Sequence, residues 1–168
     1  MTVLKDAILI FLNEIERIRS EAKTNVKILI EDIANTLFLI KLTLRNRPEF
    51  ERISQELDFD FKTISALGIE SSKVDLELNR LIVAGYVDYD MNIGPYITES
   101  GREHIIGKIE SELGFVYREI QKMLYELLRN FNFKAICREA KRLAFKELDQ
   151  IGRSERIPYK AEISKEFS

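Results

Sequence analysis

The amino-acid sequence predicts a mainly α-helical fold with a small β-hairpin, and three observations support this prediction. Over most of the chain, apolar residues recur every three or four positions, which is the period of an amphipathic helix. The stretch YVDYDMNIGPYIT instead alternates apolar and polar residues on both sides of a turn at residues 92–94. Gly85, a typical helix stop, and Thr98, a typical helix cap, place this hairpin between two helices.

Two long helices are predicted at the start of the chain. Residues 3–22 carry apolar residues at helical spacing with charged residues between them. Thr24 or Asn25 can cap a second helix that continues to about Leu44. Because this second helix is apolar over much of its surface (LFLIKLTL), we expect it to lie in the centre of the core.

The chain between the second helix and the hairpin contains a short helix, an irregular segment and a longer helix. The short helix is predicted over residues 49–57, and Pro48 suits its first turn. In the irregular segment, Ile64 and Leu67 predict one helical turn. The longer helix ends at about Ala84, and its candidate N-caps are Ser71 and Ser72.

After the hairpin nearly everything is predicted to be helical as far as about Ile151, with breaks at Gly114 and at residues 130–132. We therefore divide the chain into three regions. Residues 1–107 contain the hairpin and the N-terminal helices, residues 108–151 form a C-terminal helical region, and residues 152–168 form a tail without a sustained period.

The order of helix, hairpin and helix resembles the winged helix-turn-helix superfamily, including regulators of the MarR and PadR kind. The resemblance covers roughly residues 34–105, and its residues are Leu78, Leu81, Gly85, Tyr86, Val87, Tyr96, Ile97, Thr98 and Gly101. It implies a winged helix-turn-helix core with a long C-terminal helical extension, in which the hairpin is the wing. It also implies a DNA-binding transcriptional regulator that dimerises through the helices after the wing.

A second resemblance involves the segments VKILIEDIANTLFLIK and IGPYITESG. These segments are similar to the YwgA and SocA-like (Panacea) proteins, some of which act as antitoxins and bind protein partners. This resemblance implies a protein-interaction module that has an antitoxin-like or assembly role and does not bind DNA.

Double-stranded DNA is the first candidate partner, because the helix before the wing of such proteins normally enters the major groove. The candidate base contacts are Lys73, Asn79 and Arg80. Four cations on one face of a later helix are the candidate phosphate contacts: Lys134, Arg138, Lys141 and Arg142. Residues 108–168 hold 13 basic and 10 acidic residues, whereas residues 1–107 hold 13 basic and 18 acidic residues. A polyanion would therefore bind more favourably to the C-terminal part.

Other residues of the same helix and wing favour the alternative partner, which is a protein. Leu76 and Val83 lie on the helix face opposite the buried one, where a DNA-binding helix needs polar or basic side chains, and both are apolar. The wing contains Asp88 and Asp90, and no Lys or Arg occurs between Arg80 and Arg102. These acidic groups would repel phosphate, so the sequence leaves the DNA and protein hypotheses open.

A homodimer is predicted from an apolar seam in the region after residue 108. The candidate interface residues share three-and-four spacing: Ile120, Leu124, Leu127 and Phe131. The alternative is that this helix folds back on residues 3–22 of the same chain.

Catalysis and membrane insertion are not predicted. The chain has no phosphate loop, paired-cysteine motif or glycine-rich dinucleotide turn, and His104 and Cys137 are its only histidine and cysteine. We therefore expect a non-enzymatic protein without a metal or cofactor. No apolar run approaches the roughly 20 residues needed to cross a bilayer, so we expect a cytoplasmic protein that does not enter a membrane.

Overall fold

The computed structural model describes residues 3–57, 63–65, 67–112, 114–129 and 132–155. The fold is mainly α-helical with small antiparallel hairpins, which confirms the predicted fold class. In chain order the elements are α1 (Val3–Ala22), α2 (Ile30–Arg45), a 3-10 turn (Pro48–Phe50), α3 (Glu51–Glu56), β1 (Thr63–Ser65), β2 (Gly68–Glu70), α4 (Ser72–Val83), β3 (Val87–Asp90), β4 (Gly94–Ile97), α5 (Glu99–Glu110), α6 (Phe115–Leu128) and α7 (Phe133–Glu155). None of these helices is both long and apolar enough to span a bilayer.

The caps around α4 and the wing were predicted correctly. The Ser71 hydroxyl accepts a hydrogen bond from the Val74 N–H at 3.3 Å, so α4 begins at Ser72. The Thr98 hydroxyl accepts one from the Gly101 N–H at 3.1 Å and donates one to the Gly85 carbonyl at 2.7 Å. These side-chain bonds satisfy helix-end N–H groups and close the β3–β4 hairpin, for which we keep the name wing, at its base.

The helical turn predicted from Ile64 and Leu67 is wrong, because β1 and β2 form an antiparallel pair there. A side chain from α2 stabilises this hairpin. The Asn35 amide donates a hydrogen bond to the Leu67 carbonyl at 3.1 Å and accepts one from the Ile69 N–H at 2.8 Å. Since Asn35 is distant in sequence and fully buried, local periodicity could not have indicated this strand pair.

The predicted start of α2 is also wrong, because the helix begins at Ile30 rather than just after Thr24 or Asn25. Its cap is made by the Asp32 carboxylate, which accepts a hydrogen bond from the Leu29 N–H at 2.8 Å. An acidic side chain in the first turn also interacts favourably with the positive end of the helix dipole.

The segment between α1 and α2 is joined to the turn of the wing. The Ile28 N–H donates a hydrogen bond to the Ile93 carbonyl at 2.9 Å. The buried Arg19 guanidinium donates to the Val26 carbonyl at 2.6 Å and to the Ile93 carbonyl at 3.1 Å. These bonds tie residues 26–28 to the wing and to α1, and they account for the late start of α2.

One hydrophobic core is continuous across residue 107, because α6 packs along α1 and α7 packs along α2. The predicted helix breaks agree with the observed helix ends, since Gly114 precedes α6, α6 ends at Leu128 and α7 begins at Phe133. The region predicted to be a tail from residue 152 begins inside α7, which continues to Glu155.

Ile120 and Leu124, which were predicted to lie in a dimer interface, face the interior of a single chain. Both side chains are 0% exposed within a single chain, because α6 folds back on α1. This arrangement is the alternative that the apolar pattern left open. Leu127 is half-buried and lines a groove between α2, α6 and α7, while Phe131 lies outside the described residues.

Buried polar contacts reinforce the packing of α1 against α5 and α6. The Asp6 carboxylate is 1% exposed and accepts hydrogen bonds from the Lys108 amine at 3.0 Å and the Tyr117 hydroxyl at 2.5 Å. About two turns further along α1, the fully buried Glu14 carboxylate accepts a hydrogen bond from the Gln121 amide at 2.8 Å. A buried carboxylate needs such partners to offset its loss of hydration, so these contacts select one register of α6 on α1.

Candidate functional site

The face of α4 that points away from the core is mixed in character. Val74, Leu78 and Leu81 are buried on the opposite face. The exposed face has residues at i, i+3, i+4 and i+7 spacing: Leu76, Asn79, Arg80 and Val83. Two of these four side chains, Leu76 and Val83, are apolar. Strongly exposed apolar side chains that lie together on a surface indicate a binding site more clearly than a single exposed residue does.

Among the predicted base contacts, Asn79 and Arg80 are exposed and Lys73 is half-buried. The Arg80 guanidinium already donates a hydrogen bond to the Glu77 carboxylate at 2.7 Å. At the start of the same helix, burial and the nearby charges of Glu31 and Glu70 raise the pKa of Asp75. The electrostatic surroundings of α4 are therefore acidic near its N-terminus, where a DNA reader would carry donors.

The wing is acidic and also exposes large apolar side chains. Tyr89 is 54% exposed and Met91 is 84% exposed. The Asp90 carboxylate accepts hydrogen bonds from two N–H groups of the turn, and the negative charge of Asp88 raises the pKa of Tyr96. We use the name α4–wing surface for six exposed residues of these two elements: Leu76, Asn79, Arg80, Val83, Tyr89 and Met91.

The predicted phosphate contacts lie along α7, and we call them the basic stripe: Lys134, Arg138, Lys141 and Arg142. Lys134, Arg138 and Arg142 are exposed, and Lys141 is half-buried. Arg142 is paired with Glu139, with a Nη2–Oε1 distance of 2.6 Å. The opposite face of α7 is buried through Ala140 and other small or apolar residues, which leaves the stripe at the surface.

The single histidine and the single cysteine have packing roles. The His104 ring stacks on Tyr86 with centroids 4.6 Å apart, and burial is the main cause of its lowered pKa. Burial raises the pKa of Cys137, which stays a thiol at neutral pH. Within the part of the chain that the structure describes, no three His, Cys, Asp or Glu side chains are arranged to hold a metal ion.

No protein-family model matches the chain, and comparison with curated proteins and with solved structures gives no significant match.

Sequence reasoning missed two features of these surfaces. Tyr89 and Met91 were assigned to a hairpin without a prediction of which face they occupy, although two large apolar residues beside a tight turn are a detectable signal. Lys27 was assigned to a helix, whereas it belongs to the extended segment before α2 and lines a cavity with part of the basic stripe. That proximity depends on how α7 packs on α2.

Proposed function

We propose that this protein is a winged-helix protein-interaction module that binds a protein partner through the α4–wing surface. The observation that supports this proposal is the exposure of its apolar side chains: Val83 89%, Met91 84%, Tyr89 54% and Leu76 50%. Apolar and aromatic groups of this kind form the centres of protein interfaces, where their burial contributes roughly 25 cal/mol per Å².

The charges around these groups indicate the chemistry of the partner. Asp75, Asp88 and Asp90 lie on the same two elements, and Glu77 is paired with Arg80. Complementary potentials speed association and suppress wrong partners. The partner is therefore a protein whose binding surface has an apolar centre and a basic rim.

The same charges argue against DNA as the ligand of this surface. Each phosphate contact requires a cation, and such contacts supply most of the nonspecific affinity for DNA. Binding DNA through α4 would require Arg80 to leave Glu77 and would bring the acidic wing close to the phosphate backbone.

Capture from cells of the source organism tests the proposal. The wild-type protein is the first bait, and a variant with Val83→Glu and Met91→Glu is the second. Ser20→Glu with Gln55→Glu is the matched control, because it adds the same two charges at exposed positions of α1 and α3. We expect one protein in stoichiometric amount on the wild-type and control baits, and its loss from the second bait. With purified components, we expect the Kd of the Val83/Met91 variant to be higher by about tenfold or more.

Two outcomes would contradict this proposal. Equal recovery of the partner on all three baits would show that the α4–wing surface is not the interface. Absence of any stoichiometric partner of the wild-type bait would remove the protein-interaction function itself.

A second candidate function is a cytoplasmic, homodimeric transcriptional regulator that binds double-stranded DNA. The observation that favours it is the exposure of Lys134 and Arg138 in the basic stripe, away from the acidic wing. The two copies would have to meet on a surface other than Ile120 and Leu124.

A salt titration with random duplex DNA separates the two candidates. If the protein binds DNA through the stripe, we expect its affinity to fall steeply with salt, with a slope of about −0.9 per phosphate contact. A Lys134→Gln, Arg138→Gln variant should then have a shallower slope. No binding at low salt would exclude this second candidate and leave the first intact.

A further inference from the structure

A cavity of about 810 Å³ lies between the start of α2, Leu67 beside β2 and residues 133–141 of α7. It is within the usual volume range of small-molecule sites, which is roughly 300–1,000 Å³. No residue of the α4–wing surface lines it, so its function can be tested independently of the proposed partner surface.

Four cations line this cavity: Lys27, Lys134, Arg138 and Lys141. Asp32 is the acidic residue among the described lining residues, and its carboxylate already accepts the hydrogen bond that caps α2. The lining therefore carries an excess of positive charge in a chain whose net charge is −2. Like charges held together repel one another, and a bound anion would relieve that repulsion.

The cations of the cavity differ from two arginines on α2 and α7. Arg45 on α2 is paired with Glu147, and Arg142 on α7 is paired with Glu139. Within the described ranges, Lys27, Lys134 and Arg138 form no ion pair. Three cations around one cavity thus retain their full capacity to donate hydrogen bonds to an anion, and Arg138 can do so in the bidentate geometry that suits carboxylate and phosphate.

The other walls of the cavity are apolar. Leu29, Leu67 and Phe133 contribute side chains, and Leu67 is 54% exposed. Cys137 is also in the lining and, as a neutral thiol, behaves as a small apolar group. An inorganic anion would leave these apolar walls in contact with water, whereas an organic anion would cover them.

From the cations, the apolar walls and the volume together, we infer that the cavity binds a small organic anion. Its ligand carries a carboxylate or phosphate group attached to an apolar, aromatic or short acyl body. The anionic group lies against Lys134 and Arg138, and the apolar body packs against Leu67 and Phe133.

Chemical-shift titration of the ¹⁵N-labelled protein tests this inference with four probes. Benzoate and phenyl phosphate have both features, benzyl alcohol has the apolar body without the charge, and inorganic phosphate has the charge without the body. We expect saturable shifts at the amides of Leu67, Lys134 and Arg138 with benzoate or phenyl phosphate. Benzyl alcohol and inorganic phosphate should each bind about tenfold more weakly or worse, because each loses one of the two contributions.

Variants locate the site. A Lys134→Gln, Arg138→Gln protein should bind the better organic anion about tenfold more weakly or worse. Arg142→Gln is the matched control on the same helix, because Arg142 does not line the cavity, and it should bind as the wild type does. Circular dichroism spectra of all variants should be unchanged, since these side chains are exposed.

Three results would overturn the inference. The first is the absence of saturable shifts with either organic anion at a concentration of roughly 10 mM, which is tenfold above a millimolar Kd. The others are an affinity for benzyl alcohol equal to that for the organic anions, and a loss of affinity in the Arg142→Gln control equal to that in the Lys134→Gln, Arg138→Gln variant. If the protein binds duplex DNA through Lys134 and Arg138 but binds neither organic anion, these two cations serve DNA binding and the inference is wrong.

Discussion

Replacing Ile120 with Glu is expected to unfold the protein, not to release a soluble folded monomer. The Ile120 side chain is 0% exposed and packs in the core formed by α1 and α6. Loss of its apolar contacts should cost about 2–5 kcal/mol, and burial of a carboxylate without a partner should cost about 3–5 kcal/mol more. Domains of this size are commonly stable by only about 5–15 kcal/mol, so the combined loss is comparable with the whole stability and most of the folded population should be lost.

Circular dichroism and sedimentation together check this expectation. Leu124→Glu should behave in the same way, because Leu124 is equally buried on the same helix face. Lys122→Glu is the control on α6, since Lys122 is exposed, and its effect should stay within about 0.5 kcal/mol. If Ile120→Glu retained its helix content and sedimented as a folded monomer, the residue would face a second copy and the fold-back of α6 would be incorrect.

Replacing Gly94 with Ala is expected to destabilise the wing strongly. Gly94 has a φ of +83°, and a Cβ placed there would lie 2.0 Å from the Ile28 carbonyl oxygen. The substitution therefore adds backbone strain to a clash with the segment before α2. Relief of the clash would break the bond from the Ile28 N–H to the Ile93 carbonyl. We expect a loss of about 3 kcal/mol or more in the free energy of unfolding.

Gly85 provides a matched control for the conformational part of this effect. Its φ is +82°, almost the same as that of Gly94, but no described atom lies within 4 Å of a Cβ placed there. Gly85→Ala should therefore cost only about 1–2 kcal/mol. Urea unfolding followed by circular dichroism measures both values, with an unchanged m-value expected. Equal losses in the two variants would show that the contact between Gly94 and Ile28 is not made.

The α4–wing surface was only partly predictable from sequence. The helical period placed Leu76 and Val83 opposite the buried face of α4, and both are exposed. The period could not show that Arg80 pairs with Glu77, because the pairing depends on which rotamers the neighbouring side chains adopt. It also could not place Lys27 beside Lys134 and Arg138, because these residues are separated by more than a hundred positions of chain.

The sequence by itself determined the elements whose signals are local. Ser71 and Thr98 cap helices with their own side chains, and Gly85 allows the turn into the wing, so these boundaries follow from neighbouring residues. Only the tertiary structure decided where α2 begins, because Arg19 and Ile93 take up backbone groups of the preceding segment.

The tertiary structure likewise decided the partner of α6. An apolar face specifies that something must cover it, but the hydrophobic effect has no direction and does not distinguish α1 of the same chain from a second copy. The buried Asp6 carboxylate, bonded to Lys108 and Tyr117, makes that choice specific.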